Sequence, residues 1–111
     1  MTVSDIVKKL GLKVISGEKG LTKQVNGAYV SDLLSDVMGN INEGQIWITL
    51  QTHKNIMAIA SLKDVAAVIL VKGLQPSDEC EEQSNEENIP ILSTELGTFD
   101  IAGKLYQILT K

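Results

Sequence analysis

Seven consecutive residues, Val65-Ala66-Ala67-Val68-Ile69-Leu70-Val71, are apolar without interruption. The run is far shorter than the ~20 residues needed to cross a bilayer. A strand with one wet face would alternate polar and apolar residues, so this segment reads as a strand covered on both faces, the habit of parallel sheets flanked by helices. Its surroundings agree. From Gln45 onward the pattern predicts strand Gln45–Leu50, helix Asn55–Leu62, strand Ala67–Val71, helix Ser77–Glu87, strand Ile91–Ser93 and helix Thr98–Leu109. Strands separated by helical crossovers imply parallel pairing and right-handed connections.

Composition fits that plan. Aromatic residues make up only 4% of the 111 residues, so the core must be built from Ile, Leu, Val, Ala and Met. The length suits one domain spanning 1–111 with a single modest core. Fourteen acids against ten bases give a formal charge of −4, opposite to the basic stripe of a nucleic-acid binder. One cysteine, Cys80, rules out an internal disulfide and a cysteine-rich zinc site. No signal-peptide core opens the chain. The expectation is a soluble, cytoplasmic domain that binds neither membrane nor nucleic acid.

The N-terminal half is less regular. Thr2 with Asp5 makes a capping signature, and Val3, Ile6, Val7 and Leu10 share one helical face, closed by Gly11. A short strand is expected at Leu12–Ile15, stopped by the Gly17–Gly20 turn. A second is expected at Val25–Val30, with Asn26-Gly27 as a tight turn or bulge within it. Ser31 or Asp32 is expected to cap a helix over Leu33–Met38. Trp47 alternates with Ile46 and Ile48 and so faces the other side of the sheet, to be covered by a helix or by a second subunit, the latter fitting a small domain with a sheet edge to protect. The Ser77–Glu87 helix carries six acids and no base, with an apolar face of little more than Cys80 and the stem of Gln83. It reads as an exposed edge helix with a solvated charge run. An acidic docking patch is the alternative.

Candidate functional residues follow from the sheet. Ligands of open α/β sheets bind at the carboxyl ends of the strands. Those loops bring Gln51, Thr52 and His53, then Lys72 and Gly73, then Ser93 and Thr94, toward one edge. Asn55 is placed to cap the helix that His53 precedes, where exposed amides favour an anion. An amide, hydroxyls, an imidazole and an ammonium could there surround a phosphate or carboxylate. With an unperturbed pKa of ~6.5, His53 could also sense pH. Each residue has a plainer explanation in turn and cap chemistry: His53 as a loop cap or interface residue, Asp32 as a helix cap, Gly73 as a turn residue with φ > 0. Cys80, among acids, is expected to be inert. His53 has no second His or cysteine pair for a metal, and no Gly-x-Ser-x-Gly motif or phosphate-binding Gly/Lys loop is present. No cofactor, catalytic group or metal is expected.

With Leu21–Gly27 (LTKQVNG), Asp32–Met38 (DLLSDVM), Trp47–Thr49 (WIT) and Ile89–Thr94 (IPILST) in hand, the chain resembles a DRTGG-domain protein over nearly its whole length. Such domains occur within long phosphotransacetylases and between the CBS modules of some pyrophosphatases, and are similar in fold to the N-terminal domain of HPr kinase/phosphorylase. The name-giving motif is degenerate here: Thr52-His53 stands at the Asp-Arg position and Val71-Lys72-Gly73 at Thr-Gly-Gly, so only Gly73 is kept. The resemblance implies a three-layer α/β fold with a mixed, mostly parallel sheet, and a stand-alone regulatory, homodimerising module without chemistry of its own. Free-standing forms of this kind occur beside iron-only hydrogenase genes in anaerobic bacteria. The rival reading is a binding protein for a phosphorylated metabolite or nucleotide at the 51–55 loop. A third is a small enzyme with His53 as general base.

Overall fold

A computed structural model describes residues 1–110. Five strands and five α-helices follow one another as α1 (Val3–Leu10), β1 (Lys13–Ser16), a 3₁₀ turn (Glu18–Gly20), β2 (Gly27–Val30), α2 (Leu34–Asn40), β3 (Gln45–Thr49), α3 (Asn55–Leu62), β4 (Ala67–Leu70), α4 (Asp78–Glu87), β5 (Ile91–Ser93) and α5 (Thr98–Leu109). The strands form one sheet in the order β1-β5-β4-β3-β2. β2, β3, β4 and β5 run parallel, and β1 joins the far edge antiparallel to β5. The mixed, mostly parallel three-layer architecture expected from the sequence is the one adopted.

The strand order explains the layers. β2 to β5 step across the sheet in one direction, so three crossovers of one hand must lay α2, α3 and α4 on the same face. The other face is left to the terminal helices α1 and α5. The cores divide accordingly. Ile46, Ile48, Ala67, Ile69 and Leu92 pack with Val3 and Ile6 of α1 and Ile101 and Leu105 of α5. Trp47, Val68, Leu70 and Ile91 pack with Val37, Ile56, Met57, Ala60 and Cys80 of the crossover helices. β4 is buried along its whole length, as its unbroken apolar run requires.

Several expectations in the N-terminal half need correction. Val25 is outside β2: its N–H donates to Met1 O at 2.9 Å, tying down the N-terminus. Asn26-Gly27 is neither a hairpin turn nor a bulge. Asn26 bonds the Glu43-Gly44 turn through N–H to Gly44 O (3.1 Å) and Nδ2 to Glu43 O (3.0 Å), and Gly27 opens β2 opposite Gln45. Leu12 precedes β1 and lies in the core beneath α1 and α5. Neither Ser31 nor Asp32 caps α2, whose N-cap is Leu33 without a side-chain bond. Ser31 Oγ instead accepts from Leu33 N–H (3.2 Å). Asp32 Oδ1 accepts from Thr49 Oγ1 and from Leu50 N–H, both at 2.8 Å, stitching the β2–α2 loop to the end of β3.

Trp47 is fully buried, and its own chain covers it. Its ring lies in the core under α2 and α3, and Nε1 donates to Ser31 O at 2.8 Å. Of the two covers expected for this ring, a helix or a second subunit, it is a helix that covers it. α3 supplies the cover, because crossovers of one hand place a helix over this face.

α4 holds its place with very little apolar surface. Cys80 and Ser84 are its buried residues, whereas Gln83 is exposed. Ser84 works as a polar anchor: its hydroxyl donates to Ile89 O at 2.6 Å and accepts from Ser16 Oγ at 2.8 Å. Ser77 caps the helix through Cys80 N–H, and Asn88 ends it in the left-handed conformation at φ 56°. Six acids are tolerated because their side chains reach solvent or lie at its rim, and among the described residues only Glu79 finds a cation, Lys54 Nζ at 3.0 Å. That exposed pair contributes little, although the ammonium hydrogen bond holds the Glu79 carboxyl below its ordinary range.

Burial pushes the Cys80 thiol up to about 11, with Glu81 adding to the shift. The thiolate is therefore scarce at pH 8, and the sulfur is sealed under α4. Native protein at that pH should leave a thiol reagent unreacted over the time in which denatured protein titrates one thiol per chain. Equal rates in the two states would contradict this packing.

Candidate functional site

The parallel strands end on one edge, followed by the loops that contain 31–33, 50–54, 71–77 and 94–97. The β3 loop turns sharply into α3. Its N-cap position is Lys54, which makes no side-chain cap bond, and Asn55 is already inside the helix. Asn55 does not cap the helix as expected; His53 closes the loop ahead of it, the plainer of the readings given for that residue. The Asn55 N–H donates to His53 Nδ1 (3.2 Å), Ile56 N–H to His53 O (3.1 Å) and Met57 N–H to Lys54 O (3.0 Å). The first amides of α3, where an anion would sit, thus have partners within the chain. Because Nδ1 accepts, the ring proton of neutral His53 is on Nε2. The ring itself is exposed.

Gln51 and Thr52 are half-buried and tie the loop to its neighbours. Gln51 Nε2 donates to Asp32 O at 2.9 Å. Thr52 O accepts from Ser77 N–H at 3.0 Å, joining this loop to the start of α4.

A second group gathers where the exits from β4 and β5 diverge, one chain leaving toward α4 and the other toward α5 on the opposite face. Such a divergence is where open sheets form a crevice. Here the crevice is laced shut by the backbone. Lys72 and Gly73 both take positive φ, 59° and 70°. Their N–H groups donate to Leu96 O (2.9 Å) and Thr94 O (2.8 Å), while Thr94 N–H donates to Leu70 O (3.1 Å). Thr94 Oγ1 accepts from Leu96 N–H at 3.2 Å. A Cβ on Gly73 would meet Glu95 Oε2 at 2.7 Å. Glycine at 73 is favoured by its φ, whereas the Glu95 carboxylate lying against it is the tip of an exposed side chain that can swing aside.

The structure brings Lys72, Gly73 and Thr94 together, and separately joins Gln51, Thr52, His53 and Asn55 in one loop and helix start. The two groups line different hollows. Asn55 lines a shallow one of about 260 Å³ with Lys54, Ala58 and Gln83. Thr94 lines another of about 410 Å³ with Ser93, Glu95, Leu96, Gln75 and Lys13.

Two features of this edge were not read from the sequence. Glu95 places a carboxylate against Gly73, where an anion is expected, and nothing about a lone acid after a short strand signals that position. Leu33, Leu50 and Leu74, one from each of three successive loops, are exposed at 65%, 36% and 36%. The edge thus mixes polar groups with apolar ones. Among the described residues, no group of three or more His, Cys, Asp or Glu is placed to hold a metal ion, and no helix is long and apolar enough to cross a membrane.

Comparison with known proteins agrees with this fold. The chain superimposes on the CBS and DRTGG domains of the regulatory region of Clostridium perfringens pyrophosphatase, solved in complex with the activator diadenosine tetraphosphate, with a TM-score of 0.69 and 21% identity. The match covers 92% of this chain and 44% of that one. The family model for the DRTGG domain matches residues 5–108. That is nearly every residue of the five strands and five helices described above, and the chain belongs to the DRTGG domain family.

Proposed function

We propose that this protein is a non-catalytic regulatory module that acts as a homodimer, favouring one subunit arrangement when a ligand or partner binds. The observation that carries this reading is the extent of the family match, 5–108 of 111 residues, in a fold shared with part of a regulatory region. Linkage is the mechanism: a ligand with unequal affinity for two arrangements shifts their populations by that difference alone. Resemblance to free-standing forms beside iron-only hydrogenase genes suggests an anaerobic redox system as the setting, with a protein of that system as reader. The purified protein should sediment as a dimer at tens of micromolar. It should not turn over ATP, pyrophosphate or acetyl phosphate. A monomer mass, or a turnover abolished by His53→Ala, would overturn the reading.

The activator bound to the pyrophosphatase region favours a second reading, in which Gln51, Thr52, His53, Asn55, Lys72, Gly73 and Thr94 serve an anionic ligand. A protonated His53 can no longer accept at Nδ1, so its imidazolium and the freed Asn55 N–H become available together. Binding of diadenosine tetraphosphate or another nucleotide at ~100 times its dissociation constant should add ~2.7 kcal/mol of stability. His53→Ala should remove most of that gain. No thermal shift across a nucleotide and sugar-phosphate screen would leave His53 as a helix cap alone.

A further inference from the structure

The two edges of the sheet are treated differently. β1 carries the exposed Lys13, is broken by a register shift between Val14 and Ser16, and lies against α4. A charged side chain, a bulge and a covering helix are the usual guards against edge-to-edge pairing. β2, at the other edge, has neither the charge nor the bulge, and α5 packs on one face of it rather than along its outer side. Its sequence Gly27-Ala28-Tyr29-Val30 is uncharged and free of proline, its register with β3 is unbroken, and its outer side has no strand beside it.

Next to this edge, α5 presents a second stripe in addition to its buried one. Ile101 and Leu105 face the core and Ala102 and Leu109 are half-buried against it, whereas Phe99 and Tyr106, two turns apart, project into solvent. Phe99 is 89% exposed, Tyr106 69% and Val30 of β2 46%. Between stripe and edge runs a groove of about 370 Å³ lined by Ala28, Val30, Ile48, Ala102, Tyr106 and Leu109, with no charged side chain among its described lining residues.

We infer that a second copy of this chain docks here, across the β2 edge and the outer stripe of α5. The inference rests on the dimeric reading above and locates its interface. A two-fold axis beside β2 sets the paired edges antiparallel and lets one surface meet itself. An uncharged surface can do so without the like-charge repulsion that any acidic face of a −4 chain would meet. At ~150–250 Å² per aromatic side chain, the exposed parts of Phe99 and Tyr106 offer roughly 240–400 Å², a third to a half of the ~800 Å² that each partner of a stable dimer contributes. The exposed Val30 and the groove beside it extend the same surface.

The test is sedimentation of the wild type, Tyr106→Glu, Val30→Lys and a control, Leu62→Glu, whose residue is 70% exposed on α3 in the opposite layer. Circular dichroism reports whether each is folded. The expected result is a dimer for the wild type and control, and folded monomers for the other two, a loss of at least ~100-fold in dimer affinity. Amide exchange within Gly27–Val30 of the wild type should also quicken on dilution, a readout that needs no variant. A wild-type dimer unaffected by both substitutions, with exchange independent of concentration, overturns this interface and leaves the dimeric reading standing. A monomeric wild type overturns both and assigns the face to a different protein.

Discussion

Trp47→Ala should lower stability by about 3–5 kcal/mol, the cost of removing a large aromatic side chain from a packed core. Trp47 is fully buried between β3 and the crossover helices. Removing it also leaves Ser31 O without the indole donor it has at 2.8 Å. A domain of this size has only ~5–15 kcal/mol to lose. Since each kcal/mol moves the midpoint by roughly 4–8 °C, a thermal melt should show a fall of at least about 12 °C. Protein concentration must be held fixed, because any self-association would add to apparent stability. Trp47→Phe keeps most of the packing and loses the hydrogen bond, so it should fall between wild type and Trp47→Ala. A shift below about 4 °C for Trp47→Ala would show that the helices do not close over this ring.

The second large effect is at Gly20, in the turn after β1. A Cβ there would overlap Asn88 O and lie 2.7 Å from Pro90 Cδ. At Gly17, φ is 72° and a Cβ would lie 2.7 Å from Pro90 Cα while also overlapping the Ile89 carbonyl. The obstacles are mostly backbone, in the segment that leads into β5, and backbone cannot swing aside as a side-chain tip can. Gly20→Ala and Gly17→Ala should each cost about 3 kcal/mol, the upper end of overpacking penalties. The double variant should cost less than the sum, because both push on the same segment. Gly103→Ala is the contrast. That glycine is exposed within α5 with nothing within 4 Å of an added Cβ, so the change should stabilise by up to about 1 kcal/mol. Urea denaturation of the three variants checks the ranking. Equal stabilities for Gly20→Ala and Gly103→Ala would contradict the close approach of the turn to residues 88–90.

The sequence by itself determined the architecture from Gln45 onward, because helix and strand periods alternate there and β4 is apolar throughout. Those patterns are local, and binary patterning largely decides fold class. It also determined the first helix, where Thr2, Asp5 and Gly11 supply both caps as expected. Its resemblance to DRTGG domains was legible in short segments even though Gly73 alone remains of the name-giving motif. Asp32 shows where that legibility stops. An aspartate before a helix is ordinarily a cap, but β3 ends close enough for Thr49 and Leu50 to take the carboxylate instead. At His53 the sequence offered both a loop cap and an anion site, and only the hydrogen bond from Asn55 N–H to Nδ1 shows the cap.

The tertiary structure alone decided which distant residues meet. That Trp47 is covered by its own helices follows from the one-way strand order, not from alternation within β3. That Gly17 and Gly20 press against residues 88–90, and that Glu95 lies on Gly73, depend on contacts between segments more than twenty residues apart. That β2 is an edge is likewise absent from its four residues. Edge and interior strands can share a composition, and only the topology leaves one side of β2 without a neighbour.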